Sequence, residues 1–500
     1  MILATRKNLR QEKELSMIKS IQQFQTEGVK NLEKTFIDYS SDMTKIAEMV
    51  QGVTKSVVDF GLSMIAEELE FYDELLWKRK DLRPDWRVIR RDKCSKITSL
   101  GEVVYTKTYF YNIKTGIRCY LLDQLMGMEA HARLTEDAVA RILTEAVDST
   151  YRKGGINASI SEAEVSKETV MDKLHGLQFP AVAVPAKKKQ VKTLYIDADE
   201  DHVSLQYLEK KGDIKDRRSN TYMPKLVYVY EGVEAEGDRH KLVGVKYFGG
   251  GYEGSRRTSE MWKEVFGYIA EAYDEKTLER IYINGDGAEW IRSGEKLHAD
   301  AKFVLDRFHM HKYILAATSH LLDSAQDARS EIFRAINGKR KKDVEEVFDR
   351  IMEVTENASK QKAVETSKNY ILGHWTAIMT GVKNRKDNIH CSAEGHISHI
   401  FADRLSSRPL GWSKVGADKM ARLRIYQKNG GDMLELVRYQ KAELPMAAGC
   451  EEIIYNSNQM FQMERANRKR LGNMADMPVY SIPYPQIKKI AALKNHIWGL

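Results

Sequence analysis

Leu278-Glu279-Arg280-Ile281-Tyr282-Ile283-Asn284-Gly285-Asp286-Gly287-Ala288-Glu289-Trp290 is the stretch whose reading decides the fold. Ile281, Tyr282 and Ile283 form a short β-prone run, and the Asn-Gly-Asp-Gly cluster ends it. Asp286 is thereby expected at the mouth of a buried strand, between two glycines that let a ligand approach the backbone. Two other acidic stretches match it in kind. One is Leu194–Val203 upstream (Leu-Tyr-Ile-Asp-Ala-Asp-Glu-Asp-His-Val), and the other is Cys391–His399 downstream (Cys-Ser-Ala-Glu-Gly-His-Ile-Ser-His).

Working outward, residues 190–310 alternate strand and helix. Thr193–Asp199, Leu226–Tyr230 and Leu242–Phe248 read as strands, the last ended by Gly249-Gly250-Gly251. A helix over Ser259–Tyr273 places Trp262, Val265, Phe266, Ile269 and Tyr273 on one face. The strands Arg280–Asn284 and Lys302–Leu305 follow. Three adjacent strands, a crossover helix, a strand, a helix and a fifth strand predict a mixed sheet covered by helices, which is the ribonuclease H-like order. Residues 311–385 read as an α-helical insertion, with helices at Tyr313–Leu322, Ala328–Ile336, Val344–Thr355 and Ser367–Met379. Residues 386–430 complete the core, and 431–500 form a basic C-terminal segment.

Upstream, residues 1–90 are poor in Gly and Pro and rich in helix formers, an expected helical region closed by Pro84. Residues 91–186 read as a β-hairpin and helix-turn-helix domain. The hairpin runs Val103–Tyr111, a turn at Asn112–Gly116, then Ile117–Leu122. Leu134–Thr150 and Val165–His175 are the two helices, with a break at Gly154-Gly155. Lys167, Thr169 and Lys173 would face outward, as on a recognition helix that meets base edges and phosphates. A plain helical hairpin has the same pattern. Pro180, Pro185 and Lys187-Lys188-Lys189 read as a basic linker.

The composition suits a soluble globular chain of several domains: 500 residues, 42% apolar and 30% charged. A net charge of +8 is compatible with a nucleic-acid partner. Four scattered cysteines argue against a disulfide framework and for a reducing cytoplasm. No apolar run reaches the roughly 20 residues of a membrane span, and Met1–Lys7 shows no signal-peptide core.

Phosphoryl transfer assisted by two metal ions needs converging carboxylates. Magnesium accepts hard oxygen ligands and keeps waters, so three acidic side chains suffice. Asp197 and Asp199 share a strand face because side-chain direction repeats every two residues. Among 71 acidic residues, however, spacing alone does not separate such a triad from solvated surface carboxylates. His390, Cys391, His396 and His399 have the residue types of a zinc site, but Glu394 beside them suits magnesium chemistry better. Arg404, Arg408, Lys414, Lys419, Arg422 and Arg424 form a basic series beside Glu394, either a solvated face or a DNA-backbone surface. Trp375 and Trp412 suit core packing better than stacking on a frayed base.

Tyr195–Val203, Ile281–Ala288, Asp306-Arg307-Phe308-His309-Met310-His311 and Cys391–Trp412 together resemble the Lre-type insertion-sequence transposases, a group among the Mutator-like DDE enzymes. The resemblance covers nearly the whole chain. It implies a ribonuclease H-like catalytic domain with an α-helical insertion, and Mg²⁺ as cofactor with Mn²⁺ as a substitute. It implies a catalytic and metal-binding triad of Asp199, Asp286 and Glu394. Asp197 is the alternative first carboxylate, a choice the sequence leaves open. Asp306 and His309 match an Asp-x-x-His motif that would brace the site or approach DNA.

The function so implied is DNA transposition in the bacterial cytoplasm, at the nucleoid. Terminal inverted repeats of double-stranded DNA would be bound, cut and joined to target DNA. Joining two ends implies at least a dimer. The alternatives are a ribonuclease H-like nuclease without strand transfer, or a DNA-binding regulator whose acidic cluster is inert.

Overall fold

The computed structural model describes residues 19–440 except 130–131, 162, 207–220, 238, 388–390 and 408–410, together with Cys450, Ile453 and Gln459. The chain divides into two compact units, Met1–Thr135 with Glu443–Leu500, and Glu136–Ala442. The hairpin and the two helices expected to share one domain at 91–186 therefore fall in different units. Among the described residues no helix is long and apolar enough to cross a membrane.

In the first unit, helices α1 (Val29–Ser41) and α2 (Ile46–Lys78) form an antiparallel pair ahead of a three-stranded antiparallel sheet. Its strands are β1 (Trp86–Ile97), β2 (Glu102–Asn112) and β3 (Arg118–Tyr120). The sequence reading missed β1, which pairs with β2 from Trp86↔Asn112 to Ile97↔Glu102. Its run Arg87–Lys96 is too charged to show a strand pattern, because one side of β1 faces solvent. The expected return strand stops at Tyr120, and Leu121–Leu125 is helical. Leu62, Ile65, Ala66, Leu69 and Tyr72 of α2 pack against Val103, Tyr105 and Leu122.

The second unit begins with α3 (Glu136–Ala146), α4 (Tyr151–Ile156) and α5 (Lys167–His175). Gly154-Gly155, expected as a break, lies inside α4. Glycine is required at 155 because a Cβ there would stand 2.0 Å from the Val165 carbonyl oxygen. The central sheet holds β4 (Thr193–Glu200), β5 (Lys225–Tyr230), β6 (Lys246–Gly250), β7 (Arg280–Gly285) and β8 (Ala301–Leu305) in the order β6-β5-β4-β7-β8. β7 runs parallel to β4 and β8, while β5 is antiparallel to both β4 and β6.

The expected strand Leu242–Phe248 is divided in two. Residues through Val243 belong to a separate hairpin, Gly232–Glu236 with Arg239–Val243, and the sheet strand begins only at Lys246. Gly244, at φ +64, makes the corner between them. Gly249 and Gly250, expected to end the strand, complete it instead. A Cβ at 249 would stand 2.0 Å from the Lys225 carbonyl oxygen.

Strand alternation gives the sheet two unlike faces. Leu194, Ile196, Ala198, Val227, Val229, Ile281 and Ile283 point into one apolar core with Met261, Trp262, Val265 and Ile269 of α6 (Gly254–Ala272). The opposite face carries Tyr195, Asp197, Tyr228, Tyr230, Tyr282 and Asn284. Here Tyr195 stacks on Tyr230 and Tyr282 at 5.4 and 5.9 Å between ring centroids. The helices α7 (Arg307–Thr318), α8 (Ala325–Asn337), α9 (Lys341–Glu353), α10 (Ala358–Gly373) and α11 (Trp375–Lys383) follow β8 and extend the core. The chain then returns through α12 (Ala393–Ile397) and α13 (Lys414–Lys428).

Candidate active site

Asp199 and Asp286 stand at the carboxyl ends of β4 and β7, which lie side by side in parallel with Asp197 opposite Asn284. Asp286 follows the last residue of its strand. Its Oδ1 accepts the Ala288 backbone N–H at 2.9 Å, and its carbonyl oxygen accepts the Tyr370 hydroxyl. Gly287 has φ +96, and a Cβ there would stand 2.4 Å from His374 Nε2, so α10 closes directly onto this turn. Glu394 lies in the first turn of α12.

These three carboxylates line one cleft of about 670 Å³, together with His202, His309, Lys312 and Tyr313. Burial, then the charges of Glu394 and Asp286, push the Asp199 carboxyl up to about 7 from an ordinary 3.8, although it accepts the Glu200 N–H at 2.8 Å. Asp306 caps α7 by accepting the Phe308 N–H at 3.1 Å, and its Oδ2 meets His309 Nδ1 at 3.0 Å. That contact, with the Asp306, Asp199 and Asp286 charges, raises the His309 pKa above its ordinary range. The far ring nitrogen, Nε2, stands 3.5 Å from Glu394 Oε1. Asp306, His309 and Glu394 thus form a chain leading into the cleft.

The donor set suits a divalent cation of the magnesium kind: hard carboxylate oxygens with negative charge that is not fully compensated. As placed, no three or more His, Cys, Asp or Glu side chains among the described residues group closely enough to hold a metal ion. The Glu394 side chain is 52% exposed and turned toward His309.

Asp197, the alternative first carboxylate, has a different environment. It is wholly buried. Its Oδ1 accepts from Asn284 Nδ2 at 2.8 Å and the Tyr230 hydroxyl at 3.2 Å. Its Oδ2 accepts from the Tyr228 hydroxyl at 2.8 Å and the Ser392 N–H at 2.9 Å. Burial pushes this carboxyl's pKa up against the pull of those four donors. The network was not foreseen. The signal for it was the polar residues Tyr228 and Tyr230, and Tyr282 and Asn284, each pair two residues apart on strands whose other face is aliphatic.

The raised Asp199 pKa has a consequence for stability. A carboxyl bound more tightly by protons in the folded than in the unfolded state costs stability as pH rises from 3.8 through about 7. Asp199→Asn is therefore expected to raise the melting temperature in metal-free buffer above about pH 7. The gain should shrink as the pH falls toward the ordinary carboxylate range. Melting curves of both proteins across that window check it.

The expected DNA-contacting residues are dispersed. Lys167 and Lys173 are exposed on α5, whereas Thr169 is half-buried, its hydroxyl 3.2 Å from that of the helix-capping Ser166. Among the described residues, the basic series after Glu394 is not an open cationic face. Arg404 is buried with its guanidinium 4.7 Å above the Trp412 ring. Arg424 is buried and bonds the carbonyl oxygens of Val147, His399 and Ile400. Lys419 donates to the Leu177 carbonyl, Arg422 pairs with Asp418, and Lys414, still half exposed, pairs with Glu253. These cations neutralise the polar ends of neighbouring elements, a role that a charge run in sequence does not disclose. Arg408 and His390 lie outside the described residues. Trp412 is buried, its Nε1 donating to the Leu405 carbonyl, and Trp375 packs on the main core. His396 packs 4.4 Å from the Tyr228 ring, while His399 is 77% exposed, so the two do not converge.

The chain belongs to the Uncharacterised protein family UPF0236, whose sequence profile matches residues 40–443. Among its relatives is a UPF0236 protein of Caldanaerobacter subterraneus subsp. tengcongensis, 36% identical over 412 residues, which span 82% of this chain and 83% of the relative. Another from the same bacterium has a name that joins eleven designations and is 35% identical over 408 residues, 81% of this chain and 83% of its own. A UPF0236 protein in the vanSb 3′ region of Streptococcus gallolyticus is 24% identical over 423 residues, 81% and 87% of the two chains.

Proposed function

We propose that this protein is a DNA transposase with a ribonuclease H-like catalytic core, using Asp199, Asp286 and Glu394 as its acidic triad. The observation that carries the reading is the cleft they share. Three carboxylates far apart in sequence line one cleft, where Glu394 and Asp286 help raise the Asp199 pKa. The sheet order and the helices interposed between β8 and Glu394 support the same reading. So does the relative whose name joins eleven designations, since a gene copied to many places in one genome would produce such a name.

In this reading Asp199, Asp286 and Glu394 would hold divalent cations. When bound, these supply a more acidic water and neutralise charge on the leaving oxygen. The residues of the chain do the positioning. Asp306 fixes His309, and His309 orients Glu394. Tyr370 and the approach of His374 to Gly287 hold the turn that presents Asp286. Water adds to phosphorus at the element end and the 3′ oxygen departs with a proton. The 3′-hydroxyl so made then displaces a 3′ oxygen in target DNA, exchanging one phosphodiester for another. No covalent link to protein is needed.

The test is incubation with Mg²⁺ or Mn²⁺ and a labelled duplex carrying the DNA that flanks the gene, followed on denaturing gels. Cleavage followed by joining to a second duplex is expected. Cleavage without joining would replace the reading with a nuclease, and binding without cleavage would replace it with a regulator.

A further inference from the structure

The helical pair of the first unit presents an apolar stripe that the catalytic reading does not use. Along α2, Ile46, Val50, Val53, Val57, Phe60 and Met64 recur at spacings of four, three, four, three and four. That is the seven-residue period of a helix–helix seam. Ile46, Val50, Val57 and Met64 are 57, 52, 53 and 37% exposed. Val53 and Phe60 are half-buried, the Phe60 ring 4.4 Å from that of Phe24. The face of α2 that packs on the sheet is a different one, carrying Leu62, Ala66 and Leu69.

We infer that this stripe is the interface at which two copies of the chain pair. A seam with a period of 3.5 residues fits a helix of the same period, and a second copy supplies one by symmetry. The flanking positions Ala47, Thr54 and Gly61 on one side, and Met49, Ser56 and Ser63 on the other, carry no charge. Nothing there repels an identical chain or selects a foreign one by charge. The charges between 46 and 64, on Glu48, Lys55 and Asp59, are exposed and lie round the helix from the stripe.

The size approaches what a stable dimer needs. Nineteen residues at 1.5 Å each make a seam about 28 Å long. α1 packs tightly on α2, since a Cβ at Gly52 would stand 2.7 Å from Thr35. At that level α1 exposes Phe36 and Ile37, 49 and 66% accessible. Two such hairpins meeting close a four-helix bundle. Its planar footprint is about 480 Å² per copy for helices about 10 Å wide and about 28 and 20 Å long, and interdigitation raises this toward the roughly 800 Å² per partner of a stable dimer. The inference does not depend on the catalytic reading.

The test is the solution mass of the full chain, by light scattering across a dilution series. The unsubstituted chain is expected to be a dimer or a multiple of one. The double substitution Val50→Glu with Val57→Glu should halve its mass with far-ultraviolet circular dichroism unchanged, while Lys55→Glu leaves the mass as it was. A short thiol-specific cross-linker should join two Val57→Cys chains, and not two Lys55→Cys chains, above the background of the natural cysteines. This second measurement decides the matter if the double variant misfolds. A monomeric chain, or one whose mass ignores the Glu substitutions, overturns the inference.

Discussion

Replacing Asp286 by alanine is expected to remove strand cleavage while leaving the fold and DNA binding in place. On the proposed reading, the loss of one carboxylate from a site that neutralises charge on transferring phosphoryl oxygens would cost several kcal/mol of transition-state stabilisation. That amounts to a rate reduction of about a thousandfold or more. The structural cost is small. Asp286 is half-buried, and its side chain accepts the Ala288 N–H in a turn already held by the Tyr370 hydroxyl on the Asp286 carbonyl. The checks are a cleavage assay on a labelled DNA end with Mg²⁺, gel retardation for binding, and circular dichroism for the fold. Cleavage that survives in the variant would remove Asp286 from the site.

The parts legible in the sequence were those with a local signature. The Asn-Gly-Asp-Gly cluster marks a strand end because glycine permits the backbone approach that His374 makes at Gly287. Ile281 and Ile283 alternate with Tyr282, and Leu194 and Ile196 with Tyr195, so these strands could be read without long-range information. What was not legible depends on pairing across the fold. β1 is a strand because β2 lies beside it, not because its charged residues favour one. The split of Leu242–Phe248 follows from a hairpin that closes at Glu231 N–H to Val243 carbonyl, a contact no single-strand pattern shows. The basic series from Arg404 to Arg424 read as a surface because charge is usually solvated. Arg404 and Arg424 instead serve buried carbonyl groups whose locations depend on other helices. The different surroundings of Asp197 and Asp199, two residues apart on one face, follow from which of them meets Tyr228, Tyr230 and Asn284 across the sheet.

That last distinction yields the second large effect. Asp197→Ala is expected to destabilise the fold by at least about 3 kcal/mol, since each buried donor left without an acceptor costs roughly 1–3 kcal/mol. Four donors converge closely on this carboxylate, two tyrosine hydroxyls, the Asn284 amide and the Ser392 N–H, and the Ser392 hydroxyl reaches it at 3.4 Å. The Tyr228 hydroxyl keeps the Ser392 hydroxyl at 2.8 Å, so the loss is less than the sum of four. Asp197→Asn should fall between, because its amide keeps one acceptor oxygen and turns a donor toward groups that already donate. Urea unfolding of the three proteins measures the order.

The sign of the change separates two roles that an activity assay confuses, since either substitution would silence the cleft. A carboxylate placed to hold a cation is a burden on the metal-free fold, and its neutralisation stabilises, as expected for Asp199→Asn above about pH 7. A carboxylate that ties strands together is an asset, and its loss destabilises. Asp197 joins β4 to β5 and β7 and fastens Ser392, two residues before Glu394, to the sheet. Its removal should therefore also loosen the presentation of Glu394. An Asp197→Ala protein that unfolds no more readily than the unsubstituted chain would overturn this strand-tying role for Asp197.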